Sequence, residues 1–395
     1  MIWKIPKWYF YMARALKFKA AVIGGGPAGC ICAYFLQNIC DVTVYEKNSP
    51  LKTLLPTGGG RCNLAYCEYD FKKLASNYPR GEKFLYSVFS RFSTSDTLDF
   101  FRSIGVETYA QEDMRIFPVS NSSKNVREKF LNALRHVHFR KETVLRINAE
   151  KRFEVNTYYE SSFYDFVIIA TGGHTSYEMC RILGHTIIEP KKALIGLKTE
   201  EDLHELAGVS LQISDENLLF THEGISGPYT YKLSSLRARD KFPYKINIDL
   251  CGEIDLQSML NANPHKNISN ILAEILPKSL AVYILKHIEI DTCLKSCYIN
   301  GTQRDNIVKA CRNFTLTITG TAKGGEVVTA GGIKLDEVNP KTLESKLIKN
   351  LYFCGEVLDI DGFCGGFNLQ NCWSTGATAA QSIKQKAADL KNTFV

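Results

Sequence analysis

The sequence lacks any apolar run close to the ~18 residues that a membrane-spanning helix requires, so it predicts no transmembrane segment. It also lacks a C-x-x-C pair and the Cys/His spacing of zinc sites, although it has 13 cysteines among 395 residues. Because these cysteines are scattered and odd in number, they indicate reduced thiols in a cytosolic protein and predict no metal site.

Acidic residues are absent from the first twenty positions, which contain Lys4, Lys7, Arg14, Lys17 and Lys19. These five cations account for most of the formal net charge of +7. The net charge of the rest of the chain is too small to predict a nucleic-acid partner from charge alone. The segment also lacks the apolar core of a secretory signal. We therefore expect residues 1–17 to form a basic, loosely packed extension.

Residues 18–46 have the pattern of a strand, a glycine turn, a helix and a second strand. Apolar Phe18 to Ile23 predicts a buried parallel strand, Pro27 to Gln37 a helix, and Asp41 to Tyr45 the second strand. The intervening glycines fit G-x-G-x-x-G, which permits a tight turn, close approach of a pyrophosphate and close helix packing. They are Gly24, Gly26 and Gly29. A pyrophosphate at this turn meets the N–H groups of the helix N-terminus.

Glu46 ends the second strand about 20 residues after the glycines. An acid at this position accepts hydrogen bonds from a ribose diol and repels a 2′-phosphate. The predicted ligand is therefore FAD or NAD rather than NADP. We place Pro27, Ala28 and Lys47 in the same cofactor site.

A second glycine run, "TGGGRCN", occupies Thr57 to Asn63. Its glycines can adopt positive φ and offer bare N–H groups to an anion, and an arginine can bind a phosphate through two parallel bonds. A nicotinamide dehydrogenase would continue with further βα units, so we expect this loop to contact an extended FAD from the opposite side. The predicted contacts are Gly58, Gly59, Gly60, Arg61, Cys62 and Asn63.

Two later glycine turns complete the predicted cofactor site. A buried strand, Phe166 to Ala170, leads into Thr171, Gly172 and Gly173. Another strand, Leu351 to Cys354, leads into a glycine-rich turn and a helix from about Asn368, whose positive end would stabilise a reduced flavin. The predicted contacts are Gly355, Glu356, Asp361, Gly365, Gly366, Phe367, Asn368 and Leu369, with Glu356 and Asp361 holding ribityl hydroxyls.

Several of these stretches resemble one family. Together with "LFTHEGISGP" at Leu219–Pro228, "VVTAGGI" at Val327–Ile333 and the long stretch from Leu343 to Gly376, they are similar to the BaiN/RdsA-type, or YhiN-like, NAD(P)/FAD-dependent oxidoreductases. The resemblance covers nearly the whole chain after residue 18. It implies an α/β fold: a Rossmann-like FAD-binding domain with an inserted β subdomain followed by a helical subdomain. The sequence departs from the family's pattern at Pro27, Cys30, Lys323 and Cys364. The resemblance therefore predicts the cofactor better than it predicts the substrate.

Changes of pattern predict the domain boundaries. Short alternating runs after Lys191 predict antiparallel strands, and the following stretch has helical spacing. We expect residues 18–191 and 321–395 to form the FAD-binding domain. We expect residues 192–260 to form the β subdomain and residues 261–320 the helical subdomain.

Candidate proton shuttles are His222 and Glu223, an adjacent acid–base pair beside the glycine turn of "THEGISGP". His174, beside the "TGG" turn, is a second candidate. The alternative for the pair is a hairpin turn with solvated side chains.

We expect an FAD-dependent oxidoreductase that transfers a hydride on a small-molecule substrate, with NAD(P)H as a transient donor. No second complete G-x-G-x-x-G unit accompanies the first, which leaves NAD(P)H binding open. Three alternatives stay open: an amine oxidase of the aminoacetone oxidase type, a flavin-dependent RNA modifier, and a non-catalytic flavin-binding redox sensor. A disulfide reductase is disfavoured because the cysteines near the predicted flavin loops form no recognised dithiol motif.

Overall fold

The computed structural model describes residues 17–173, 175–322 and 328–393. Its strands, in chain order, are β1 (Phe18–Ile23), β2 (Cys40–Tyr45), β3 (Ala65–Tyr66), β4 (Thr108–Ala110), β5 (Arg115–Pro118), β6 (Val137–Arg140), β7 (Arg146–Ala149), β8 (Phe153–Asn156), β9 (Ser161–Tyr164), β10 (Phe166–Ile169), β11 (Ile187–Ala193), β12 (Leu197–Thr199), β13 (Ser210–Ile213), β14 (Glu216–Thr221), β15 (Gly224–Ser226), β16 (Tyr244–Ile248), β17 (Phe314–Thr321), β18 (Val328–Ile333) and β19 (Leu351–Phe353).

The helices are α1 (Pro27–Leu36), α2 (Phe71–Ala75), α3 (Glu82–Phe89), α4 (Thr94–Ser103), α5 (Ser123–Ala133), α6 (Tyr177–Ile182), α7 (Pro228–Leu236), α8 (Leu256–Ala262), α9 (Ile268–Leu272), α10 (Lys278–His287), α11 (Gly301–Arg312) and α12 (Phe367–Thr393). Short 3-10 turns at Thr57–Gly60 and Gly355–Val357 contain two of the predicted cofactor loops. Within the described ranges, no helix is both long enough and apolar enough to cross a membrane.

The chain divides into two compact units, residues 1–191 with 328–395 and residues 192–327. The first unit is built on a five-stranded parallel sheet with the order β19-β10-β1-β2-β6. Val22 of β1 pairs with Ile168 on one side and Val44 on the other, and all three side chains are fully buried. Parallel strands covered on both faces have such continuous apolar sequences. The expected α/β, Rossmann-like fold is confirmed.

Smaller sheets and helices complete the first unit. The order β3-β5-β4 and the order β7-β8-β9 form two antiparallel sheets, and β11 pairs with β18. Helices α1 and α12 pack together. Trp373 of α12 is fully buried and packs its ring edge-on against Phe101 at a centroid distance of 5.2 Å. The amino-terminal βαβ segment and the last helix of the chain therefore share one core.

The second unit contains a six-stranded sheet with the order β13-β14-β15-β12-β17-β16. Each neighbouring pair of strands is antiparallel. The helices α8 to α11 lie in the chain between β16 and β17, and their apolar residues form one core with the sheet. The sequence predicts strands followed by helices in this unit. The structure adds one element, because the chain returns to the sheet as β17 after the last helix.

Candidate cofactor site

The first glycine turn joins the end of β1 to the start of α1. Gly24 has a φ of +107°, and a Cβ there would lie 2.4 Å from the carbonyl oxygen of Ala170. A Cβ at Gly29 would lie 2.0 Å from the carbonyl oxygen of Gly24, so only glycine allows the helix to begin this close to the turn. No side chain caps α1 at Gly26, and Pro27 occupies the first turn. The first-turn N–H groups are thus available to an anion.

Glu46 follows β2 directly and is half-buried beside the glycine turn. Its Oε2 accepts a hydrogen bond from the N–H of Gly25 at 2.8 Å, and its Oε1 accepts one from Asn48 at 2.7 Å. These bonds fix the carboxylate next to a cleft of about 280 Å³. The cleft is lined by Glu46, Asn48, Ser49, Pro50, Phe139, Arg140 and Lys141. Lys47, which follows the acid in the sequence, is exposed.

The second glycine loop is an ordered turn. Gly58 and Gly59 have φ values of +58° and +68°. A Cβ at Gly58 would lie 2.7 Å from the backbone nitrogen of Asn63 and 2.9 Å from the ring of Phe117, whereas one at Gly59 would meet nothing within 4 Å. Gly60 is similarly open. The loop therefore presents backbone outward at its tip and packs tightly at its base.

The side chains that follow the second loop are held by the protein. The Arg61 guanidinium lies over the Phe117 ring, 4.1 Å from its centroid. Cys62 is fully buried, and burial raises the pKa of its thiol to about 12. A thiol with this pKa is protonated near neutral pH, which makes it a poor nucleophile.

Asn63 connects the second glycine loop to the start of α12. The Asn63 amide is oriented so that both its oxygen and its nitrogen have hydrogen-bond partners. Its Oδ1 accepts from the N–H of Gly366 at 3.0 Å, and its Nδ2 donates to the carbonyl oxygen of Ala65 at 3.1 Å. Further along α12, Nε1 of Trp373 donates to the carbonyl oxygen of Leu64 at 2.9 Å. Residues near the two ends of the chain thus meet at this point.

The turn after β10 lies against the carboxy-terminal segment. Thr171 Oγ1 donates to the carbonyl oxygen of Thr175 at 3.1 Å, which closes the turn containing Gly172 and Gly173. Glu356 accepts a hydrogen bond from the N–H of Thr329 at 2.7 Å, and Gly172 and Gly173 lie beside its carboxylate. His174, a predicted proton shuttle, lies outside the described residues.

The loop before α12 is held by two internal attachments. Both oxygens of the fully buried Asp361 are engaged by the Arg80 guanidinium. Asn368 accepts from the N–H of Gly362 at 2.9 Å and donates to its carbonyl oxygen at 2.8 Å. The contact predicted between Asp361 and ribityl hydroxyls therefore stays a prediction, and any such contact must be made by a carboxylate that already binds Arg80.

Five further predicted contacts, Gly355, Gly365, Gly366, Phe367 and Leu369, lie in the glycine-rich turn and at the start of α12. Gly365 and Gly366 have φ values of +138° and +97°. Tyr78 donates its hydroxyl to the carbonyl oxygen of Phe367 at 2.6 Å, and Leu369 is half-buried on the first turn of the helix. Gly355 donates its N–H to Thr375 Oγ1 at 2.9 Å. Sequence reasoning missed Tyr78 and Arg80, because "NYPRGE" carries only the signal of a turn.

His222 and Glu223 lie in the second unit, at the turn between β14 and β15. The Nδ1 atoms of His222 and His204 are 3.1 Å apart. Glu223 is about half exposed and forms an ion pair with Lys198 at 3.2 Å. Both side chains thus have partners within their own unit, and the proton-shuttle assignment stays a prediction.

The parallel sheet, the glycine turn with an uncapped helix and the acid ending β2 define a Rossmann-like FAD-binding domain, and the chain is an FAD-dependent oxidoreductase. Residues 18–382 match the model of the HI0933-like protein Rossmann domain. The chain therefore belongs to this family, as its resemblance to the BaiN/RdsA-type enzymes implied.

The relatives include two proteins that match nearly the full length of the chain. The 3-dehydro-bile acid delta(4,6)-reductase of Clostridium scindens is 29% identical over 412 residues, covering 93% of this chain and 99% of that protein. The ribosomal RNA dihydrouridine synthase of Escherichia coli is 27% identical over 402 residues, covering 93% and 98%. These identities describe similarity and leave the substrate of this chain unassigned.

Two solved structures have a similar fold. The Escherichia coli quinol fumarate reductase matches with a TM-score of 0.51 and 13% identity, covering 95% of this chain and 71% of that one. The 3-ketosteroid delta1-dehydrogenase of Sterolibacterium denitrificans matches with a TM-score of 0.50 and 11% identity, covering 94% and 100%. At these identities the likeness concerns the fold alone.

Proposed function

We propose that FAD binds at the carboxyl ends of the parallel strands. Its adenosine half would lie at the cleft beside Glu46, its pyrophosphate at the N-terminus of α1, and its flavin at residues 355–369. The observation that carries this proposal is the contact between Asn63 and Gly366, because it joins the second glycine loop to the start of α12. The fit is supported by the uncapped N–H groups of α1 and by the open tip at Gly59 and Gly60.

FAD, when bound, supplies two-electron hydride chemistry. The protein's contribution is binding and electrostatic tuning. The N-terminus of α12 favours negative charge near it by about 0.3–1 kcal/mol, and by more where water is excluded. The glycine loops supply N–H donors without side chains that would occupy the ligand's space. Within this proposal no protein nucleophile is required, which agrees with the protonated, buried thiol of Cys62.

We propose further that the reaction adds hydrogen across a carbon–carbon double bond of a small conjugated ring substrate, with NAD(P)H as the electron donor. Support comes from the names of the two relatives, since both a delta(4,6)-reductase and a dihydrouridine synthase are named for adding hydrogen to a ring double bond.

The test is an anaerobic titration of the purified flavoprotein with NADH and with NADPH, followed at the flavin absorbance bands. We expect one nucleotide to bleach the flavin and a conjugated cyclic enone to restore the colour. In a separate aerobic assay, where O2 reoxidises the reduced flavin, peroxide release with aminoacetone would instead identify an amine oxidase. A flavin that no nucleotide or substrate reduces would support the non-catalytic alternative, and folded protein that stays colourless in excess FAD would refute the cofactor assignment.

A second candidate is reduction of a uridine base in RNA. The observation that favours it is the similarity to ribosomal RNA dihydrouridine synthases of two bacteria, Escherichia coli and Haemophilus influenzae, each at 27% identity. Incubating a uridine-containing RNA with the flavoprotein and the reducing nucleotide tests it. A mass gain of two hydrogen atoms on uridine would support this candidate, and an unchanged RNA would contradict it.

A further inference from the structure

A surface of the second unit combines aromatic rings with positive charge. It comprises Arg237, Arg239, Lys241, Phe242, Tyr244 and Lys245, at the end of α7 and the start of β16. We call it the basic–aromatic patch. Arg239, Lys241, Phe242 and Lys245 are exposed, and β16 is an edge strand of its sheet.

Three side chains of the patch are stacked. The rings of Phe242 and Tyr244 lie 5.5 Å apart with an angle of 17° between their planes. The guanidinium of Arg237 lies over the Tyr244 ring, 4.4 Å from its centroid, and also pairs with Asp240. Phe242 is 46% exposed. Arg237 therefore holds Tyr244, and Phe242, which stacks on Tyr244, presents an exposed aromatic ring.

The local charge distinguishes this patch from other exposed aromatic surfaces. Residues 228–247 contain five basic residues and one acidic residue, and two acids from elsewhere in the unit lie beside them, because Glu216 pairs with Lys232 and Glu201 lines the same cleft as Lys245. The hairpin that exposes Tyr158 and Tyr159 lies within residues 137–166, which contain five of each sign. Both surfaces offer aromatic rings, but only the first offers an excess of positive charge.

We infer that the basic–aromatic patch binds single-stranded RNA. Lysine and arginine side chains neutralise phosphates, and a base stacks on Phe242, which is the combination that single-stranded nucleic-acid sites use. The positive excess favours a polyanion over a neutral ligand. The single exposed ring, flanked by charges, suits a base better than a lipid surface, which requires a broader apolar face. This inference rests on the RNA branch of the proposed function.

The experiment measures binding of a fluorescein-labelled oligouridine of about 12 nucleotides to the flavoprotein by anisotropy, between about 50 and 200 mM salt. In the double variant Lys241→Glu/Lys245→Glu, we expect affinity to fall more than about tenfold. The slope of log affinity against log salt should also flatten by about 0.7 for each lysine that contacts a phosphate. Phe242→Ala should weaken binding about tenfold and leave the slope unchanged, because stacking releases no counterion. Phe242→Trp should restore it.

The matched control is Lys151→Glu/Lys384→Glu, which changes the net charge equally at two exposed lysines of the first unit. Equal weakening by this control and by the patch variant would overturn the inference, as would undetectable RNA binding by the unaltered protein. Binding to anionic phosphatidylglycerol vesicles without binding to RNA would also overturn it. Flavin reduction by NADH or NADPH is measured on the same preparations, so a failed patch and a failed reductase assignment give different results.

Discussion

The buried pair between Arg80 and Asp361 makes a strong prediction about the loop that precedes α12. The two residues are 281 positions apart in the chain, and the Asp361 side chain has no exposed surface. Arg80→Gln removes the positive partner and leaves a charged carboxylate in the interior. Breaking a buried pair from one side costs about 3–5 kcal/mol of folding stability, because the remaining charge is uncompensated.

The same change should weaken cofactor binding. The Arg80 guanidinium holds the loop between β19 and α12, where the flavin is proposed to bind. When the loop is correctly placed for only a fraction of the time, the apparent dissociation constant of FAD rises in inverse proportion to that fraction. We expect at least a tenfold rise, which corresponds to about 1.4 kcal/mol.

The assay combines urea unfolding of the apoprotein with FAD titration. Trp373 is buried in α12 and reports on the first unit when Trp3 and Trp8 are replaced by phenylalanine in every protein compared. Asp361→Asn in the Arg80→Gln background removes the stranded charge. The double variant should therefore lose less stability than the sum of the single variants.

Two outcomes would refute this reasoning. One is a loss below about 1 kcal/mol in Arg80→Gln, the value typical of an exposed ion pair. The other is strict additivity of the two single variants, since it would mean that the two side chains do not depend on each other.

Three other predictions follow from the first unit. Gly58→Ala should reduce both stability and FAD retention more than Gly59→Ala. Both positions have positive φ, but only Gly58 lacks room for a methyl group. Equal unfolding midpoints of the two variants would contradict this. Iodoacetamide near neutral pH should modify the exposed Cys364 and spare Cys62, because burial raises the pKa of the Cys62 thiol to about 12. Peptide mass mapping measures the labelling. Labelling of Cys62 in folded protein would contradict its burial. Burial lowers the pKa of His185, so its contribution to stability is present above about pH 6.5 and lost as the pH falls. Urea unfolding between about pH 7 and 5 should therefore show that the stability of His185→Asn depends less steeply on pH than that of the unaltered protein.

Local sequence patterns predict much of the first unit. The apolar strand, the glycine turn and the acid after β2 are signals confined to fewer than 30 residues, and β1, α1 and β2 form where the pattern indicates. The helix near the carboxy terminus begins at Phe367, one residue before the predicted start. These elements are predictable because their hydrogen bonds and packing periods are local.

Contacts across long sequence separations are not predictable in this way. The Asn63–Gly366 bond and the Arg80–Asp361 pair join residues about 300 positions apart, and neither partner carries a local signal for the other. The return strand β17 was missed for the same reason, since its partner β16 precedes four helices in the chain. Arg61 illustrates a further limit, because its stacking on Phe117 depends on a strand that lies over fifty residues later.

The pairing of β11 with β18 has a consequence for how this chain can diversify. The polypeptide leaves the first unit on one of these strands and comes back on the other, so the two crossing points are neighbours. A module attached through adjacent strands can be exchanged, enlarged or shortened without altering the register of the parallel sheet. Residues 192–327 can therefore change in length or sequence while the pairing of the parallel strands in the first unit stays the same.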